Sequence, residues 1–182
     1  MKNPSLYVVS LLAGASLMLS LAGGCGKQAP TANQKQEPNT YQNNEYAFGF
    51  QYPADWSEKA NPGALVLVMG QPDSGFAPNA NIVLLPFVEN VLQITKEAMQ
   101  ADYEQLFKNV DITEFETRKI GGKDCVFVHY QGTTSQDALM EQYQFIFPHK
   151  DKTFLLTFTN LQTNFEKTRA QFDSIVDSFQ FD

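Results

Sequence analysis

Tyr143-Gln144-Phe145-Ile146-Phe147, then a polar His149-Lys150-Asp151-Lys152, then Phe154-Leu155-Leu156-Thr157-Phe158 is the stretch on which the fold turns. Aromatic side chains at every second position share one side of an extended chain, because successive strand residues point to opposite faces. The polar segment between the two runs is short and rich in turn formers, so they pair as an antiparallel hairpin. An aromatic face of this density has to be covered. Ile146 and Leu155 make the reverse face apolar as well, so layers are expected on both sides of the sheet.

Outward from this hairpin the pattern repeats. Phe48-Gly49-Phe50-Gln51-Tyr52 alternates in the same way, and Leu65–Met69, Asn81–Phe87, Glu114–Ile120 and Cys125–Gln131 are further strand candidates. Gly121-Gly122-Lys123-Asp124 reads as a second hairpin turn. Two segments switch to a period near 3.6. Met99, Tyr103, Leu106 and Val110 predict a helix over about residues 94–108. Phe165, Phe172, Val176 and Phe179 predict a second one, opened by Thr163-Asn164-Phe165-Glu166 in capping-box form. Helices beside a mostly antiparallel sheet make an α+β sandwich, with no internal repeat.

The chain has 182 residues and 13 Lys+Arg against 20 Asp+Glu, a net charge of −7. That balance argues against nucleic-acid binding, which needs a concentrated basic surface, and against electrostatic adhesion to anionic lipid. At 43% hydrophobic and 13% aromatic the chain is too apolar for disorder, and two cysteines are too few for a disulfide scaffold.

The N-terminus reads as an address. After Lys2 no charged residue occurs until Lys27, and Leu6 to Leu21 is dominated by Leu, Val, Ala, Ser, Gly and Met. This is a signal peptide's shape. Its end, Leu21-Ala22-Gly23-Gly24-Cys25, resembles the bacterial lipobox, with Ala22 where most lipoboxes carry Leu. Residues 1–24 are thus expected to be a lipoprotein signal cleaved before Cys25. The Cys25 thiol would then carry a diacylglycerol, and with more than one acyl chain, such as palmitate, the anchor is stable at about 0.8 kcal/mol per buried methylene. The alternatives are an uncleaved membrane helix and a secretory signal cut nearby. Gly26 is not the inner-membrane retention residue Asp, which in a two-membrane host points to the outer membrane; a one-membrane host would carry the protein on its outer face. Cleavage leaves 12 Lys+Arg against 20 Asp+Glu, a net charge of −8. From Gly26 to Glu45 eight residues are Asn or Gln and two are Pro, with Tyr41 the one large apolar side chain. Residues 25–40 therefore read as the lipidated cysteine and a flexible tether spanning roughly 20 Å, and residues 41–182 as the globular domain.

Phe48-Gly49-Phe50-Gln51-Tyr52-Pro53-Ala54-Asp55-Trp56 resembles the opening of the PsbP-like domain family, in which an aromatic strand ends in Tyr-Pro and a Trp follows. Phe172-Asp173-Ser174-Ile175-Val176-Asp177-Ser178-Phe179-Gln180-Phe181 is similar to that family's final helix. The resemblance covers about residues 40–182 and rests on core positions, so it speaks to fold more than to chemistry. It implies an α/β/α sandwich with a central, mostly antiparallel sheet. It also implies a docking role, since the family spans photosystem II extrinsic subunits, DcrB-like bacterial lipoproteins, effector chaperones and a Ran-binding import factor.

The residues that could carry chemistry are few. His129 and His149 are the two histidines, without metal-ligand spacing, so they read as a strand and a turn residue and no metal or cofactor is expected. Cys125 lies in Cys125-Val126-Phe127-Val128, where an apolar strand favours a buried, inert thiol. Ser74-Gly75 lacks a G-x-S-x-G frame, and Gly121-Gly122 is followed by a strand rather than a phosphate-binding helix. Trp56 reads as a packing residue. The loop Gly70–Asn81, rich in turn formers with Phe76 at its middle, reads first as a mobile hairpin connection and second as the candidate docking site. The sequence thus leads to a non-enzymatic, lipid-anchored, extracytoplasmic envelope protein that binds a protein partner and no nucleic acid. The alternative is a small-ligand or metal-binding domain, with or without enzymatic activity, whose site is assembled from distant residues.

Overall fold

A computed structural model describes residues 37–182; the signal, Cys25 and most of the tether lie outside the described residues. Among these residues ten strands and two α-helices follow in the order β1 (Asn39–Asn43), β2 (Phe48–Tyr52), β3 (Ser57–Glu58), β4 (Val66–Met69), β5 (Asn79–Leu85), α1 (Lys96–Tyr103), β6 (Lys108–Ile120), β7 (Lys123–Thr133), β8 (Leu139–His149), β9 (Lys152–Leu161), α2 (Gln162–Asp177) and β10 (Gln180–Phe181). Seven of the strands form an antiparallel sheet in the order β3-β4-β5-β9-β8-β7-β6, and β1-β2-β10 form a smaller one.

The central hairpin decides the layering. β8 and β9 pair with Phe145 opposite Leu156 and Phe147 opposite Phe154, which gathers the aromatic positions on one face. That face is sealed by α2 and the small sheet: Phe48 stacks on Phe179 at 5.5 Å and meets Phe154 edge-on at 5.6 Å, while Phe158 packs against Phe172 at 5.0 Å. The reverse face is mainly aliphatic, with Val83, Leu85, Val126, Val128, Ile146 and Leu155 buried beneath Met99 and Tyr103 of α1. The sheet is therefore covered on both sides, as the two apolar faces require. The expected turns are present. Gly121 and Gly122 have φ of 53° and 82°, the left-handed pair of a type I′ turn between β6 and β7.

Phe48–Tyr52 is the strand that its alternation predicts, and it lies in the small sheet. Several expectations are corrected. β1 starts at Asn39, within the stretch whose composition offers nothing to bury, because strand pairing draws on backbone groups and Asn39 Nδ2 donates to the carbonyls of Pro53, Ala54 and Trp56. α1 is shorter than 94–108. Thr95 caps it by accepting from the Ala98 N–H, and the chain turns out after Tyr103, so Val110 belongs to β6. The capping box at Thr163–Glu166 does not form: α2 begins at Gln162, and Leu161 at its N-cap position supplies no side-chain hydrogen bond. Asn160 does the ordering there instead, accepting from the Leu161 N–H and donating to the Asn164 carbonyl and to Thr168 Oγ1. β5 stops at Leu85, before Pro86, and leaves Phe87 outside the sheet.

Candidate functional site

Gly70 to Pro78 joins β4 to β5, and its centre is a small closed hairpin. Asp73 and Phe76 exchange backbone hydrogen bonds of 2.9 and 3.2 Å, with Ser74 and Gly75 left-handed between them at φ 55° and 83°. Phe76 is half-buried. Lys167 of α2 donates to Asp73 at 3.1 Å, and that bond together with one from the Ser74 hydroxyl holds the Asp73 carboxyl below its ordinary range. Between this hairpin and the start of α2 lies a cleft of about 110 Å³, lined in part by Trp56, Asp73, Asn160, Asn164, Lys167 and Gln171. Trp56 is buried edge-on against Phe172 at 6.0 Å and crowds Gly70, where a Cβ would come within 2.7 Å of the indole Nε1. Asn164 accepts from Lys167 at 2.7 Å, while its buried Nδ2 has no partner.

The histidines are committed to the scaffold. His129 on β7 lies between Glu114 of β6, 3.1 Å from Nδ1, and Glu141 of β8, 2.7 Å from Nε2. Its ring stacks on Phe165 at 5.7 Å, and Arg118 holds Glu114 from the other side at 2.9 Å. Both ring nitrogens already face a carboxylate, so binding a metal there would break one of these contacts. Among the described residues no group of three or more His, Cys, Asp or Glu side chains is placed to hold a metal ion. His149, at the end of β8, donates from Nε2 to the Tyr46 carbonyl at 2.6 Å, and burial lowers its pKa. Cys125 is fully buried, which pushes its thiol up to about 11 and makes it a poor nucleophile at neutral pH.

Two features escaped the sequence. Beneath α1 the Tyr103 and Tyr130 rings stack at 3.9 Å; Tyr103 donates to Gln144 and Tyr130 to Gln142, each at 2.7 Å, and Gln144 donates to Tyr130 at 3.4 Å. Next to it Asp102 is 5% exposed, its carboxyl pushed up to about 6 by burial and its Oδ2 without a partner. Polar residues on a strand ordinarily signal a solvent face, so periodicity alone hides such a network. The second feature is apolar exposure away from the Phe76 loop: Phe87 is 55% and Leu92 47% exposed. Pro86 directly before Phe87 is the one local sign that the strand has ended.

With this geometry in place, the comparisons are specific about the fold. The model of the PsbP-like protein family matches residues 26–181. The solution structure of cyanobacterial PsbP (CyanoP) from Synechocystis sp. PCC 6803 superposes with a TM-score of 0.59 at 15% identity, covering 88% of this chain and 98% of that one. LpqN of Mycobacterium tuberculosis, described as involved in cell envelope biogenesis, gives a TM-score of 0.56 at 12% identity over 79% of this chain and 90% of its own. No curated protein matches the sequence.

Proposed function

Because the chain belongs to the PsbP-like family, whose model spans residues 26–181, we propose that it is a lipid-anchored envelope protein whose domain docks a membrane or envelope protein and performs no chemistry of its own. The observation that carries this reading is the commitment of every reactive candidate to packing: His129 is held by two carboxylates, His149 by a carbonyl, and the Cys125 thiol by the core. In this reading Cys25 anchors the chain outside the cytoplasm, and the segment to residue 40 spaces the domain from the bilayer. LpqN's part in envelope biogenesis lends the proposal its context. The loop around Phe76 is the docking site. It is a closed hairpin tied to α2 through Asp73 and Lys167, and a preformed loop loses little entropy on binding.

The anchor is tested by labelling cells with a fatty-acid analogue: wild type takes up label and Cys25→Ala does not. Equal labelling of the two removes the lipoprotein reading. The docking site is tested with a photo-crosslinking residue at position 76 in intact cells, with Phe87, beyond the opposite end of β5, as the second position. One defined envelope protein should be captured from position 76, in amounts that a competing Phe76→Ala chain does not reduce. Capture from position 87 alone moves the docking surface to the other end of the molecule.

A further inference from the structure

The main sheet ends at β6, and its last half is an open edge. Its first half is covered by α1, where Gln100 Nε2 donates to the Val110 carbonyl at 3.2 Å and Lys96 Nζ to the Ile112 carbonyl at 2.9 Å. From Glu114 to Ile120 the strand pairs with β7 on one side, and among the described residues nothing pairs with the other. The turn fixes which backbone groups face outward. In a two-residue hairpin the flanking pair, here Ile120 and Lys123, is hydrogen-bonded, and bonded and non-bonded pairs then alternate along the ladder. The N–H and C=O groups of Phe115, Thr117 and Lys119 therefore point away from β7. Long open edges are commonly blunted by charge, and this one carries Glu114, Glu116, Arg118 and Lys119.

The order of those charges makes the edge self-complementary. The geometry points to an antiparallel pairing of β6 with β6 of a second copy, related by a twofold axis through Thr117. In that register Thr117 meets its own copy, Phe115 meets Lys119, and the outward backbone groups of these three residues are all paired. Glu116 then faces Arg118 of the copy, and Arg118 faces Glu116, in the non-bonded positions where side chains approach most closely. The neighbouring registers are excluded by the same charges. A slip of two residues one way sets Arg118 against Arg118, and the other way sets Glu116 against Glu116, each a like-charge pair at the shortest cross-strand distance. Both side chains are available for exchange, Arg118 being 38% and Glu116 51% exposed while they bridge each other within one chain. Arg118 is also held over the Phe127 ring, with Cζ 3.5 Å from its centroid, which positions the guanidinium before a partner arrives. The result is an isologous dimer with one continuous sheet across two molecules.

The full-length chain carrying Thr117→Cys tests this by mild oxidation in intact cells. A hydrogen-bonded antiparallel pair sets its Cα atoms about 5.5 Å apart, within disulfide reach. Position 117 should give a crosslinked homodimer at least tenfold above the parent chain, which contains Cys25 and Cys125 and so sets the background. Adding Glu116→Arg should reduce the crosslink severalfold, and adding Arg118→Glu to that chain should bring it back. Thermal unfolding of each purified variant separates loss of pairing from loss of fold. Crosslinking at Thr117→Cys no greater than at Glu89→Cys, crosslinking to a different protein, or failure of the double reversal to recover the dimer overturns the proposal.

Discussion

Asp102 shows how a single side chain can set the pH response. Its carboxyl titrates near 3.8 in the unfolded chain and about 6 in the folded one, raised by burial. Between those values the folded state binds more protons, so this group's contribution favours folding at about pH 4 and is lost as the pH rises through about 6. Asp102→Asn should therefore stabilise the protein at neutral pH by roughly 1–3 kcal/mol and flatten its stability across that window. Denaturant titrations of both chains at several pH values measure it, and equal curves would remove the buried-carboxylate account. His149 acts in the opposite sense, because burial lowers its pKa and stability is lost as acid protonates it preferentially in the unfolded chain. Gly132 is a separate case of crowding: a Cβ there would lie 2.8 Å from Cβ of Phe107. Gly132→Ala should cost about 1–3 kcal/mol, read as a lower denaturation midpoint with an unchanged slope.

At the level of elements, the start of α2 separates two accounts of how the chain turns from β9 into the helix. A capping box would make Thr163 important, whereas in the structure Asn160 orders the junction with three hydrogen bonds and is 2% exposed. Asn160→Ala should destabilise by about 1–3 kcal/mol, while Thr163→Ala stays within about 0.5 kcal/mol. Thermal melts of the pair decide between them. The misleading signal has a physical source. A capping box is a local pattern, but the entry into α2 is dictated by β9, which runs in sheet register with β8 as far as Leu161. The glycine pair at 121–122 was legible for the converse reason, since a left-handed turn is a demand of the local backbone. Spacing alone overextends α1, because Val110 keeps helical spacing with Leu106 while already belonging to β6.

Across the whole molecule, alternation in the central hairpin was enough to foresee a sheet covered on both sides, because both of its faces are apolar. It could not divide the strands between two sheets. β2 has the same aromatic alternation as β8, and only its pairing with β1 and β10 places it in the smaller sheet. The charged edge at Glu114–Arg118 and the His129 contacts depend on cross-strand register, which no linear motif reports. Stability should rest on the two cores alone. Cys125 is the one cysteine among the described residues and is buried without a partner. Chelator and reductant should each leave the melting temperature unchanged, and a fall of several degrees with either would reveal a metal or a disulfide.

The small sheet joins the two ends of this domain: Gln180 and Phe181 pair with Gly49 and Phe48, and Phe179 stacks on Phe48. In the order of synthesis this means that the earliest aromatic strand waits for the latest one. The lid over the aromatic face, α2 with β10, follows every other strand of the domain in the chain, so a nascent domain lacks the piece that locks it until those strands have been made. A domain wired in this way keeps its aromatic face open while its other strands are being made, and closes it only when the segment that pairs with its first aromatic strand has joined them.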